Sequence, residues 1–322
     1  MENNFYSYDP ELAHRQKLKA ISTIRKHGKL AGGATLFFLL GSIAVALILK
    51  VFNLTNYLVN DEVLSECFDI FFTIFAIFVP FMFVMIRARK YHKDHSFALE
   101  MPKDKKLALW AIPAGLMFCL IGDRVASIIS AIFNFFGVEL SSNSTSIPAS
   151  SVAAVLYFVS VVIVAPLVEE FAMRAVVMQP LRKYGEKFAI VMTAIVFALM
   201  HQNMVQGIFA FIAGLVFGYL CILTGSVWCS VLIHCLNNLL SVVSMTVSSS
   251  SAGSSVVFYN FIIIAIYVFG AIGIFMIMKN KDRPRLQKCA MKNLMTGEKV
   301  SAFLLAPTMV IAIIIMAFNC LF

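Results

Sequence analysis

Three groups of polar residues interrupt otherwise apolar stretches of this chain: Glu169-Glu170-Phe-Ala-Met-Arg174, Phe197-Ala-Leu-Met-His201 and His234-Cys-Leu-Asn-Asn238. A carboxylate beside an imidazole can take a proton from water, or the two can hold a Zn²⁺ that lowers the pKa of bound water. A second imidazole with an amide can donate hydrogen bonds to the oxyanion that develops on an attacked peptide carbonyl. On a helix Glu170 and Arg174 are i,i+4 neighbours with the acid N-terminal, the better order for an ion pair. Glu169 points about 100° away from Glu170 and is left free. The candidate catalytic residues are therefore Glu169, Glu170, His201, His234 and Asn238, with Arg174 and Phe197 in support. Glu169, His201 and His234 are also the donors from which a metal site could be built. Asn237 is rotated away from the face shared by His234 and Asn238 and is expected to stay out of the chemistry.

Each group also has a plainer reading: an intramembrane ion pair, a histidine capping a helix end, hydrogen-bond glue between helices. What favours chemistry is the set. No H-E-x-x-H, no phosphate-binding glycine loop and no serine or cysteine nucleophile elbow is present, so the constituents suit amide hydrolysis better than group transfer.

The elements that must carry these groups are membrane helices. The 322 residues are 60% hydrophobic and only 13% charged, with a mean hydropathy of +0.87; a soluble domain carries nearly twice that charged fraction. The expected fold is an all-α polytopic bundle of about eight to nine transmembrane helices. Residues 1–30 form a basic cytoplasmic segment and 31–322 a single membrane domain, its catalytic core at about 151–247. Nine apolar runs are read as spans: 31–49, 68–86, 107–136, 151–181, 188–201, 206–223, 227–247, 256–278 and 302–321. Pro80 and Pro166 should bend the second and fourth, and Gly122-Asp123-Arg124 should either break the third or form a buried pair.

Of 26 Lys and Arg, 23 fall in residues 1–30, 87–106, 182–187 and 279–300. Counting spans from a cytoplasmic N-terminus puts all four segments on one side, the loop bias of positive-inside topology. The net charge of +9 is thus explained by topology and by attraction to anionic lipid. No nucleic-acid partner is expected. The seven cysteines include no C-x-x-C pair and support neither a disulfide framework nor a cysteine metal site. His14, His27, His92 and His95 lie in basic loops. Counted along the helices, Glu170 and His201 are each roughly 20 Å from the basic turn between them, and His234 about 12 Å from the turn at Ser226. That mismatch is tolerable, and the side chains should converge on a pocket opening toward the cytoplasm.

The pattern E-E-x-x-x-R, then F-x-x-x-H, then H-x-x-x-N on successive membrane helices resembles the CPBP family (CAAX proteases and bacteriocin-processing enzymes, also called Abi proteins), which includes the type II CAAX prenyl endopeptidases. The resemblance covers roughly the fourth to seventh helices. It implies an intramembrane endopeptidase, with Glu169 as water-activating base, His201 as its partner, and His234 with Asn238 as oxyanion stabilisers. Glu170 and Arg174 would support them. Zn or a metal-free glutamate route are both open.

The expected partners are membrane lipid and a peptide or protein substrate, prenylated or a bacteriocin precursor, cut near the cytoplasmic leaflet of a bacterial plasma membrane. Two rivals keep the helices and lose the chemistry: a bacteriocin-immunity protein, and a proton-coupled transporter using the acids and imidazoles as a relay.

Overall fold

The computed structural model describes residues 9–89, 100–138, 140, 146–249 and 253–321. His92, His95, much of the basic 87–106 loop and part of the serine-rich 141–151 loop lie outside the described residues. Among those described, every regular element is a helix. Seven helices are long and apolar enough to cross a membrane, or eight if one bent pair is counted as a span.

Helix α1 (Pro10–Val51) starts as its sequence predicts. The Asp9 carboxylate accepts the N–H groups of Glu11 and Leu12, and Pro10 occupies the first turn, where its missing donor is harmless. It then runs unbroken past residue 30, joining the basic segment to the first span. A short helix α2 (Thr55–Asn60) leads to α3 (Glu62–Ala88), α4 (Lys105–Phe135) and α5 (Ser151–Tyr184). Next come α6 (Glu186–Leu199), α7 (Met204–Thr224), α8 (Val227–Ser249), α9 (Gly253–Lys279), α10 (Thr296–Leu304) and α11 (Pro307–Leu321).

Three differences from expectation have physical causes. The fifth apolar run forms a helix of only 14 residues, about 21 Å long, too short for a hydrocarbon core of about 30 Å. It stops inside the protein, where Gln202 adopts a left-handed conformation (φ 52°) and Asn203 caps α7 by accepting the Gln206 N–H. The ninth run is broken: α10 and α11 meet at 73°. The third is not interrupted at all, because a helix accommodates Gly122-Asp123-Arg124 without loss of a backbone hydrogen bond. The Asp123–Arg124 pair (3.4 Å) is half or more exposed rather than buried.

Proline shapes α3 and α5. Each contains wide i→i+5 turns, at Ile74–Phe78 in α3 and at Val159–Val164 and Phe171–Met178 in α5. Each such stretch ends two residues before a proline: Pro80, Pro166 and Pro180. A proline ring removes one donor and crowds the carbonyl a turn earlier, and the helix absorbs this locally by widening.

The described basic segments gather at one end of the bundle. Asn293 donates to the Ala13 carbonyl, Lys17 pairs with Glu298 at 2.7 Å, Lys299 donates to the Tyr184 carbonyl, and Asn280 donates to Asp104. At the other end the Glu62 carboxylate accepts the N–H groups of Ala149 and Ser150, satisfying donors at the entry to α5. Between these ends α7 is the central helix, while α9 turns most of its surface outward. Lipid offers helices no hydrophobic drive to associate, so close contact depends on small residues. A Cβ on Gly270 or Gly273 of α9 would stand 2.9 Å from the Pro113 carbonyl or 2.6 Å from that of Trp110 on α4.

Candidate active site

Helix α5 separates its two adjacent acids. Glu170 and Arg174 are both fully buried, with Arg174 Nε 2.8 Å from Glu170 Oε2 and Nη2 3.3 Å from Oε1. The guanidinium lies 5.9 Å from the ring centres of both Phe197 and Phe217, an aromatic setting that suits a desolvated cation. Gly218 of α7 packs beside the guanidinium: a Cβ there would make ordinary contact with Arg174 Nη1 at 3.5 Å. The Glu169 side chain, by contrast, is 19% exposed and faces a cavity of about 460 Å³.

His234, on α8, reaches both acids. Its Nε2 is 3.7 Å from Glu169 Oε2, and its Nδ1 is 3.4 Å from Glu170 Oε1. The ring is stacked on Phe217, with centres 4.9 Å apart and planes at 28°. The depth mismatch anticipated for His234 does not keep it from the acids, which its ring nitrogens approach from α8.

His201 stands just past the end of α6. A carbonyl only accepts, so its Nδ1–H donates to the Phe197 carbonyl at 2.8 Å, which also accepts the Met200 N–H at 3.3 Å where the helix ends. That bond fixes the tautomer and leaves Nε2 as the group free to act. The ring also meets Phe197 edge-on at 4.8 Å, and Phe197 approaches His234 at 5.9 Å. Phe197 is thus the partition between the imidazoles. The turn behind His201 is tied to α1 by the Gln202–Ser42 hydrogen bonds.

Asn238 lines the same cavity as Glu169, His201 and His234. Its Nδ2 donates to the Val161 carbonyl at 2.9 Å, within the widened turn before Pro166, and its Oδ1 accepts from Asn237 Nδ2 at 3.3 Å. Asn237 therefore belongs to the site as the residue that orients this amide. The helical-face argument that set it aside overlooked side-chain contact between adjacent residues. Phe217 was also missed, since nothing in its local sequence distinguishes it from packing.

The cavity runs the opposite way from expectation. Besides the site it is lined by Arg124, Tyr157, Ser241, Met245 and Tyr259, all displaced from the site toward the end remote from the basic segments. Arg124 lies about 29 Å along α4 from Lys105, close to a full hydrocarbon thickness, where its exposed pair with Asp123 can meet water. Toward the basic end the site is closed by Phe217, Leu220, Cys221, Met178 and Leu181, all buried.

Among the described residues no three His, Cys, Asp or Glu side chains come together as a metal-ligand set. Glu169 and His234 approach each other, while His201 Nδ1 is committed to a carbonyl.

Residues 151–240 match the family model described as type II CAAX prenyl endopeptidase Rce1-like, and all the motif residues lie within that stretch. The resemblance read from the three motifs is borne out there; α1 to α4 and α9 to α11 lie outside it. No curated protein and no solved structure matches the chain.

Proposed function

We propose that this integral membrane protein is an endopeptidase that hydrolyses a peptide bond with water activated by Glu169. The observation that carries the reading is the convergence of Glu169, His201, His234 and Asn238 from three segments on one cavity, inside the stretch that matches a protease family. Glu170 is consumed by Arg174 and backs His234 from the side away from Glu169. Glu169 keeps contact with solvent and accepts the proton of a water in the cavity. The resulting hydroxide attacks the carbonyl carbon, and the new oxyanion takes hydrogen bonds from the remaining Asn238 Nδ2–H and from an imidazole N–H. Collapse of the tetrahedral intermediate breaks the C–N bond, and the proton held by Glu169 passes to the leaving amine.

Positive-inside topology puts the basic end in the cytoplasm, so the cavity mouth faces the opposite leaflet. The peptide is then a segment presented from the outer side, in place of the cytoplasmic-leaflet cut anticipated from the helix count. The test is mass spectrometry of a peptide library incubated with purified protein and with Glu169→Gln, His201→Ala and His234→Ala variants. The reading expects new termini with the wild type and none with the variants; full turnover by the variants would remove it. Protection against a bacteriocin that persists in Glu169→Gln would instead favour a non-catalytic immunity role.

A further inference from the structure

A second site lies at the opposite end of the bundle from the catalytic cavity. The segment 280–295 arches over the α6–α7 hairpin and is pinned there by Glu186, whose Oε2 accepts the Gln287 N–H at 2.8 Å while Oε1 binds Arg182. Under the arch is a cavity of about 840 Å³ with an apolar floor including Phe188 and Val191. Its lining contains Lys187, Arg283, Arg285, Lys288, Lys292 and Lys299, and no acidic residue.

Lys299 is the most telling of these. It is 6% exposed, its Nζ donates to the Tyr184 carbonyl at 2.9 Å, and it lies over the Phe188 ring. No carboxylate pairs with it among the described residues. Buried charges are normally paired, because an isolated one is expensive to desolvate. An anion held in the cavity would supply the counter-charge that the protein does not.

An apolar cleft of about 360 Å³ adjoins this cavity on the lipid-facing side of α4, α7 and α9, where Phe118, Val216 and Ile274 line it. Tyr219 and Arg283 line both spaces. A cationic chamber at the basic end that shares two lining residues with an apolar groove suits a negatively charged phosphate head carrying a hydrocarbon chain. We propose that this double cavity binds an anionic phospholipid, its phosphate among Lys299, Arg283 and Lys292 and one acyl chain along the cleft.

The proposal is tested on the full-length protein by native mass spectrometry in detergent. Phosphatidylglycerol and phosphatidylcholine are added at equal mole fraction, and inorganic phosphate serves as competitor. A retained phosphatidylglycerol adduct is expected, with phosphatidylcholine held about tenfold less, the scale of one charge-assisted contact. Arg283→Gln with Lys292→Gln, both outside the packed core, should lower retention at least as far, and Val216→Trp should do so by filling the cleft. Thermal melting of each variant shows that it is folded. Equal retention of the two lipids, or retention unchanged in the variants, overturns the site. Displacement by inorganic phosphate with no effect of Val216→Trp overturns the lipid assignment.

Discussion

Exchanging Glu170 for Gln should damage the fold, and exchanging Glu169 for Gln should not, although the residues are adjacent and the chemical change is identical. Glu170 and Arg174 form a fully buried pair held by contacts of 2.8 and 3.3 Å. Removing one charge leaves the other buried without compensation, which costs about 3–5 kcal/mol. At about 2–4 °C per kcal/mol for a domain of this size class, melting should fall on the order of 10 °C. Glu169 has a 19% exposed side chain and no bond to Arg174, so Glu169→Gln should melt within about 2 °C of the wild type. Replacing the whole pair, Glu170→Leu with Arg174→Leu, should recover much of the loss, because apolar packing is an adequate substitute for a buried ion pair. The assay is thermal unfolding in detergent followed by loss of monodisperse protein. Equal melting of the two Gln variants would refute the division of roles between the acids.

Asn238→Ala should lower kcat by about 10²–10³ with KM little changed, as for loss of one oxyanion donor. Asn237→Ala should lower it by about tenfold or less, since only one hydrogen bond orienting that amide is lost. Gly273→Leu would force a side chain into the Trp110 carbonyl on α4 and should destabilise by about 1–3 kcal/mol, whereas Val268→Leu on the outward face of α9 should leave melting unchanged. Prolonged dialysis against a chelator should leave peptide cleavage within about twofold if water is activated by Glu169 alone. Loss of activity restored by Zn²⁺ would replace that route with metal-assisted hydrolysis.

Much of this architecture was legible because lipid is a strict solvent. Runs near twenty apolar residues stand out, and so do two acids, an arginine and two imidazoles placed among them. The short α6 was not legible: Phe188 to Met200 has the composition of a span, and only the polar turn His201-Gln202-Asn203 marks where it stops. Two of the three wide turns were partly legible, since Pro80 and Pro166 announce trouble without saying how the helix absorbs it; the one before Pro180 was not anticipated. The buried start of α8 and the direction of the cavity depend on which faces pack together. No local pattern carries that information. Asp123-Arg124 illustrates the point: two charges in an apolar run suggest a break or a buried pair, and the bundle instead leaves them exposed in the lining of the cavity.

The most direct test of the central claim is cleavage in ¹⁸O-labelled water, with purified protein and a peptide it cuts. The account predicts a single ¹⁸O in the new carboxyl terminus for the wild type and no product above background for Glu169→Gln at equal folded concentration. Product formed by Glu169→Gln at the wild-type rate would contradict it.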